Sequence, residues 1–104
     1  MRSAPIVAIL LAAAAAASAN ADQVVAQKDK TFAPGAVTVA AGETLQVTND
    51  DPVLHHVYVD APNMQFDSGE QEPGRTVSIV FKKPGEYVAQ CAIHPKMKLN
   101  VTVK

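Results

Sequence analysis

The amino-acid sequence predicts an all-β sandwich or barrel of about seven strands. Beyond the first twenty or so residues, apolar and polar side chains alternate through nearly every segment, and turn-forming residues break the alternation at short intervals. No stretch carries a convincing helical period.

The N-terminal residues stand apart from that pattern. Arg2 gives a positive start, Ile6 to Ala17 is an uninterrupted apolar run rich in alanine, and Ala19-Asn20-Ala21 supplies small residues. This is the make-up of a secretory signal peptide, residues 1–21, with cleavage expected before Asp22. The run is about half the length that crosses a bilayer, and no cysteine follows it to carry a lipid. One domain, residues 22–104, is expected to remain.

Gln23 to Gln27 reads as a weak first strand, and Lys28-Asp29-Lys30 as a polar turn. Phe32-Ala33-Pro34-Gly35 reads as a second turn whose aromatic folds back on the core. Ala36 to Ala40 and Thr44 to Asn49 follow as strands, the latter with Leu45 and Val47 on one face. Asn49-Asp50-Asp51-Pro52 ends that strand, because Asn and Asp close turns and Pro cannot donate to a ladder. From Val53 to Asp60 the alternation puts His55, Val57 and Val59 on the inner face and His56, Tyr58 and Asp60 on the outer. Ala61 to Gly74 is irregular, with a short extended piece at Gln65 to Asp67. Thr76 to Phe81, Glu86 to Cys91 and Lys98 to Lys104 complete the strands, with Val77, Ile79, Phe81, Tyr87, Ala89, Cys91, Leu99, Val101 and Val103 inward.

A domain this small buries only a modest share of its surface. It has one cysteine, so an internal disulfide is excluded, and an unpaired thiol in an exported protein calls for an explanation. Without Arg2 the remaining chain carries eight basic and ten acidic residues, a net charge near −2, which gives no sign of nucleic-acid binding.

Cys91-Ala92-Ile93-His94-Pro95-Lys96-Met97 places a thiol, an imidazole and a thioether at i, i+3 and i+6. Pro95 disfavours helix at His94, so the three donors sit on a loop. Soft sulfur suits copper in its lower oxidation state, imidazole serves both states, and a weak thioether completes a site that neither state finds ideal. The second imidazole is expected from His55, which strand parity turns inward, rather than from His56. Two imidazoles, one thiolate and a distant thioether form the trigonal blue-copper arrangement used for electron transfer.

Several motifs together are similar to those of the cupredoxins, most nearly the amicyanin and plastocyanin group. They are Gly85-Glu86-Tyr87 four residues before the cysteine, Cys91-x-x-His94-Pro95-x-Met97, and His55-x-Val57 after a strand ending in Asn49. The likeness covers almost the whole chain beyond the leader. It implies a Greek-key sandwich with one copper ion, Cu(I)/Cu(II), at one end, held by His55, Cys91, His94 and Met97. Two positions depart from the pattern. His56 stands where an Asn usually ties the two ligand loops together, and its ring is expected to make a similar hydrogen bond. Ile93 stands where amicyanin and plastocyanin have Pro, and its N–H is expected to add a second hydrogen bond to the Cys91 sulfur, beside one from the His56 backbone, stabilising the reduced site.

The function expected is that of a small periplasmic or secreted electron carrier, monomeric and not an enzyme. Its partners are expected to be redox proteins, for example a c-type cytochrome or a periplasmic dehydrogenase or oxidase. They would dock transiently near His94 over Pro52, Val53, Leu54, Pro95 and Met97, with Lys96 and Lys98 beside the site. The alternative is a periplasmic copper carrier that delivers its ion to another protein. Thiol catalysis lacks an orienting group and an oxyanion site. Met64, in the irregular segment, reads as a gap filler, and Asp50, Asp51, Glu70 and Glu72 read as solvated loop carboxylates.

Overall fold

The computed structural model describes residues 23–104, so the expected signal peptide lies outside the described residues. Nine strands run in chain order: β1 Gln23–Lys28, β2 Thr31–Ala33, β3 Ala36–Val39, β4 Thr44–Asn49, β5 Val57–Ala61, β6 Met64–Asp67, β7 Thr76–Val80, β8 Gly85–Cys91 and β9 Lys98–Val103. No helix occurs among the described residues. The fold class is the one expected, with two strands more than the alternation suggested. The additions are β6, which matches the short extended piece expected at Gln65 to Asp67, and β2, three residues long and too short to show a period of two above the turn residues around it.

The strands form two sheets, β2-β1-β4-β7 and β3-β9-β8-β5-β6. Most neighbours are antiparallel, but β1 pairs with β4 and β3 with β9 in parallel. Side chains alternate across each strand, and the inward ones form a single core that includes Val25, Phe32, Leu45, Val47, Val57, Ile79, Phe81, Leu99 and Val101. At roughly 1.5–3 kcal/mol for each fully buried large aliphatic or aromatic side chain, these inner faces supply most of the driving force for folding.

Register sets which end carries chemistry. Cys91, the last residue of β8, pairs with Val57, the first of β5, so both sheet neighbours stop at the same level. At that end β1 and β4 finish side by side at the Gln27 and Asn49 pair, and the β1–β2 turn closes at Asp29 and Lys30. Residues 53–56, expected to belong to the fifth strand, lie outside it. Instead His55 forms an isolated bridge to Gln71, with His55 N–H to Gln71 O at 3.0 Å and Gln71 N–H to His55 O at 2.7 Å. Met64 pairs with Ala61 at the opposite end of β5, away from Cys91.

Candidate metal centre

Three chain segments bring their donors together at this end. His55 comes from the stretch before β5, Cys91 from the end of β8 and His94 from the β8–β9 loop. Their donor atoms all lie within 4.8 Å of one another. Cys91 Sγ is 3.6 Å from His55 Nδ1 and 3.5 Å from His94 Nδ1. A sulfur and a nitrogen bonded to a common first-row ion at about 2.0–2.3 Å are separated by about this much, so both thiol–imidazole pairs are spaced for a shared metal. The inward facing expected from parity is found, since His55 is 0 % exposed and Cys91 1 %. Met97 is 3 % exposed and its N–H donates to His94 O at 3.0 Å, which closes the loop into a turn and carries the thioether to the inside.

The two imidazoles are held in different ways. His55 Nε2 meets Asp51 Oδ2 at 2.7 Å in a buried contact. The ring of His94 packs edge-on to His55 with centroids 4.8 Å apart and lies partly exposed. Burial, together with the charges of His55 and Lys30, pushes the His94 pKa below the ordinary histidine value, with Asp51 acting the other way. That keeps the ring neutral and its lone pair free for a metal.

The Cys91 sulfur accepts the His56 N–H at 3.4 Å, the one backbone donor it has among the described residues. The second donor expected from Ile93 is not found, and Ile93 instead stands 46 % exposed at the surface. Its N–H lies on a loop that turns outward once the β8 ladder has ended. The tie expected from the His56 ring is also redirected. That ring bonds Asp67 at 2.5 Å, and the two ligand segments are joined by backbone, Ala92 N–H to His56 O at 2.9 Å.

Asp51 differs most from expectation. Read as a solvated loop carboxylate, it is buried, with Oδ1 accepting the Asp29 N–H at 2.5 Å and Oδ2 accepting the Lys30 N–H at 2.9 Å besides His55. Burial raises its pKa, but the hydrogen bonds from His55, Lys30 and Asp29 outweigh this and hold the carboxyl below the usual value. Gln71 carries no signal in the sequence, and Asn49 is marked there only as the residue that ends its strand. Asn49 donates to Val53 O and Gln71 O and accepts the Asp51 N–H, all at 2.9 Å. Gln71 donates to Val47 O at 3.0 Å and Arg75 O at 2.8 Å. The one available signal was the i, i+4 spacing of Asp51 and His55, which many surface pairs share.

The family model for the cupredoxin-like domain matches residues 3–103. The chain belongs to the cupredoxin-like family. This cupredoxin is 35% identical over 78 residues to methylamine utilization protein MauL of Methylophilus methylotrophus, covering 72% of the chain and 45% of MauL, so it spans less than half of that relative's length. It is 30% identical to plastocyanin of Ulva arasakii over 84 residues, 70% of the chain and 86% of the plastocyanin. Among solved structures, a copper-containing nitrite reductase from Thermus scotoductus matches with a TM-score of 0.73 at 27% identity, over 81% of this chain and 22% of that one. Amicyanin, as its P52G variant in the Cu(I) form, matches with a TM-score of 0.74 over 80% of this chain and 82% of that one. At 22% identity the amicyanin likeness shows the fold. The cofactor of the family is one copper ion, and the donor set His55, Cys91 and His94 fits it.

Proposed function

We propose that this cupredoxin is a mobile carrier of single electrons, with copper held by His55 Nδ1, Cys91 Sγ, His94 Nδ1 and the thioether of Met97. The observation that carries the reading is the approach of both Nδ1 atoms to one thiol sulfur at 3.5–3.6 Å, from separate segments of a β-sandwich. When bound, copper supplies a one-electron Cu(I)/Cu(II) couple. The chain supplies rigidity. His55 is fixed on its far nitrogen, Cys91 by the His56 N–H, and His94 by the turn to Met97. Donors pinned in this way keep their positions in both states, so little has to rearrange when the charge changes. Burial of His55, Cys91 and Met97 keeps water away, and the partly exposed His94 offers the shortest way out for an electron.

Partners are read as redox proteins that dock weakly around His94, where Leu54, Ile93 and Pro95 are exposed. Met97, assigned to that surface from sequence, is buried, and Ile93 takes its place. The leader at residues 1–21 supports export, with residues 22–104 as the working domain. The comparisons lend no support to copper delivery, and the likeness to a nitrite reductase covers 22% of that enzyme, which is no basis for assigning catalysis.

The test is the visible spectrum of residues 22–104 with one equivalent of Cu(II), then after reduction and reoxidation. An intense blue thiolate-to-copper band that bleaches and returns is expected. A colourless protein that nevertheless binds Cu(I) tightly would move the reading to copper delivery.

A further inference from the structure

Both oxygens of the Asp51 carboxylate receive a backbone N–H, Oδ1 at 2.5 Å and Oδ2 at 2.9 Å, and a carboxylate can only accept hydrogen bonds. All three of its partners must therefore donate. Two are the amides of Asp29 and Lys30; the third is His55 Nε2 at 2.7 Å. The proton of a neutral His55 then belongs on Nε2, which leaves the lone pair on Nδ1, the nitrogen that faces Cys91 Sγ. A second observation points the same way. Asp29 and Lys30 are successive non-glycine residues with φ of 54° and 56°, a left-handed conformation with a steric cost for both. That backbone aims two consecutive N–H groups at the Asp51 carboxylate. Asn49 Oδ1 accepts the Asp51 N–H at 2.9 Å and so holds the backbone that carries the carboxylate.

We infer that Asp51, clamped by the β1–β2 turn, is a positioning residue for the metal centre that selects the Nδ1-binding tautomer of His55 and favours the more highly charged state of the bound ion. The inference rests on the copper-carrier reading for its second half only. An anion held behind a ligand ring raises the ring's basicity and attracts a doubly charged ion more than a singly charged one. Because Asp51 is buried, solvent does little to screen that difference. The β1–β2 turn lies in the other sheet from Cys91, so the clamp also couples the two sheets at the metal end.

The experiment compares the protein with its Asp51→Asn variant, which keeps size and one oxygen acceptor but loses the charge. Cu(I) and Cu(II) affinities are measured by chelator competition, and the potential by equilibrium titration. The blue band should persist in the variant, since all four proposed ligands remain. Cu(II) affinity is expected to fall about tenfold with Cu(I) affinity nearly unchanged. By linkage this is a rise in potential of about 59 mV. Equal losses for both ions with an unchanged potential would reduce Asp51 to a structural hydrogen bond and overturn the inference. Should the variant fail to fold, nitrogen-15 NMR of the unsubstituted metal-free protein reads the clamp directly. A slowly exchanging, far-downfield Nε2–H on His55 supports it, and a proton on Nδ1 or rapid exchange overturns it. Absence of the blue band in the unsubstituted protein would instead sink the electron-carrier reading, while the His55 proton still decides the clamp.

Discussion

His56 offers its backbone and its ring to different parts of the fold. The N–H supports the Cys91 sulfur and the C=O ties the ligand segments, while the ring, about a quarter exposed, pairs with Asp67. Asp67 also accepts the Gly69 N–H at 2.8 Å. The Gly69 bond first, and the His56 ring second, hold the Asp67 carboxyl below its ordinary value of 3.8. A folded-state pKa below the unfolded one contributes stability that is present above 3.8 and lost as pH falls through the lower folded value. The Asp67→Asn variant is therefore expected to lose less stability than the parent as the pH is lowered from about 4. Denaturant midpoints of the two proteins across that range check this, and parallel curves would contradict it. The contact is open to water, so the effect is small at neutral pH.

At the scale of elements, the end of β4 holds the segments that surround the centre. Asn49 closes β4 with three hydrogen bonds, to Val53 O, Gln71 O and the Asp51 N–H, and is fully buried. Asn49→Ala leaves those buried groups without partners, and a loss of about 1–3 kcal/mol is expected for such a group. Urea unfolding of the metal-free protein measures it. A change of only a few tenths of a kcal/mol would mean that water replaces the side chain. Inward alternation through β5, β8 and β9 was readable because each strand is five to seven residues long and buries one face. The stretch from Pro52 to His56 was not, since it leaves the sheet to bridge Gln71, a partner sixteen residues away from His55 that no local pattern indicates.

For the molecule as a whole, copper and folding are linked. The donors come from residues as far apart in sequence as His55 and His94, so the unfolded chain has no comparable site. A ligand that binds only the folded state stabilises it by about 2.7 kcal/mol at a hundredfold excess over its dissociation constant. Removing copper with a chelator is expected to lower the melting temperature, with the loaded protein's value rising as free copper rises. Coincident melting curves would argue against a site confined to the folded state. Such a gain is sizeable for a domain whose total stability lies on the order of 5–15 kcal/mol and which has no disulfide to help.

The sequence by itself determined the fold class, the core faces and the close grouping of Cys91, His94 and Met97 at the end of β8 and along the loop that follows it. These follow from a period of two and from spacing along a short stretch, both local properties of the chain. The inward His55 that parity predicts is found, although it lies before β5 and is held there by its bridge to Gln71. Only the tertiary structure decided what surrounds the donors: the burial of Asp51, its clamp at Asp29 and Lys30, the His56 ring on Asp67, and the outward course of Ile93. Each of these depends on where two segments distant in sequence finish when the sheets pack. Hydrogen-bond partners across such gaps leave no periodic trace, so an Asp that orients a ligand reads in sequence like any Asp in a turn.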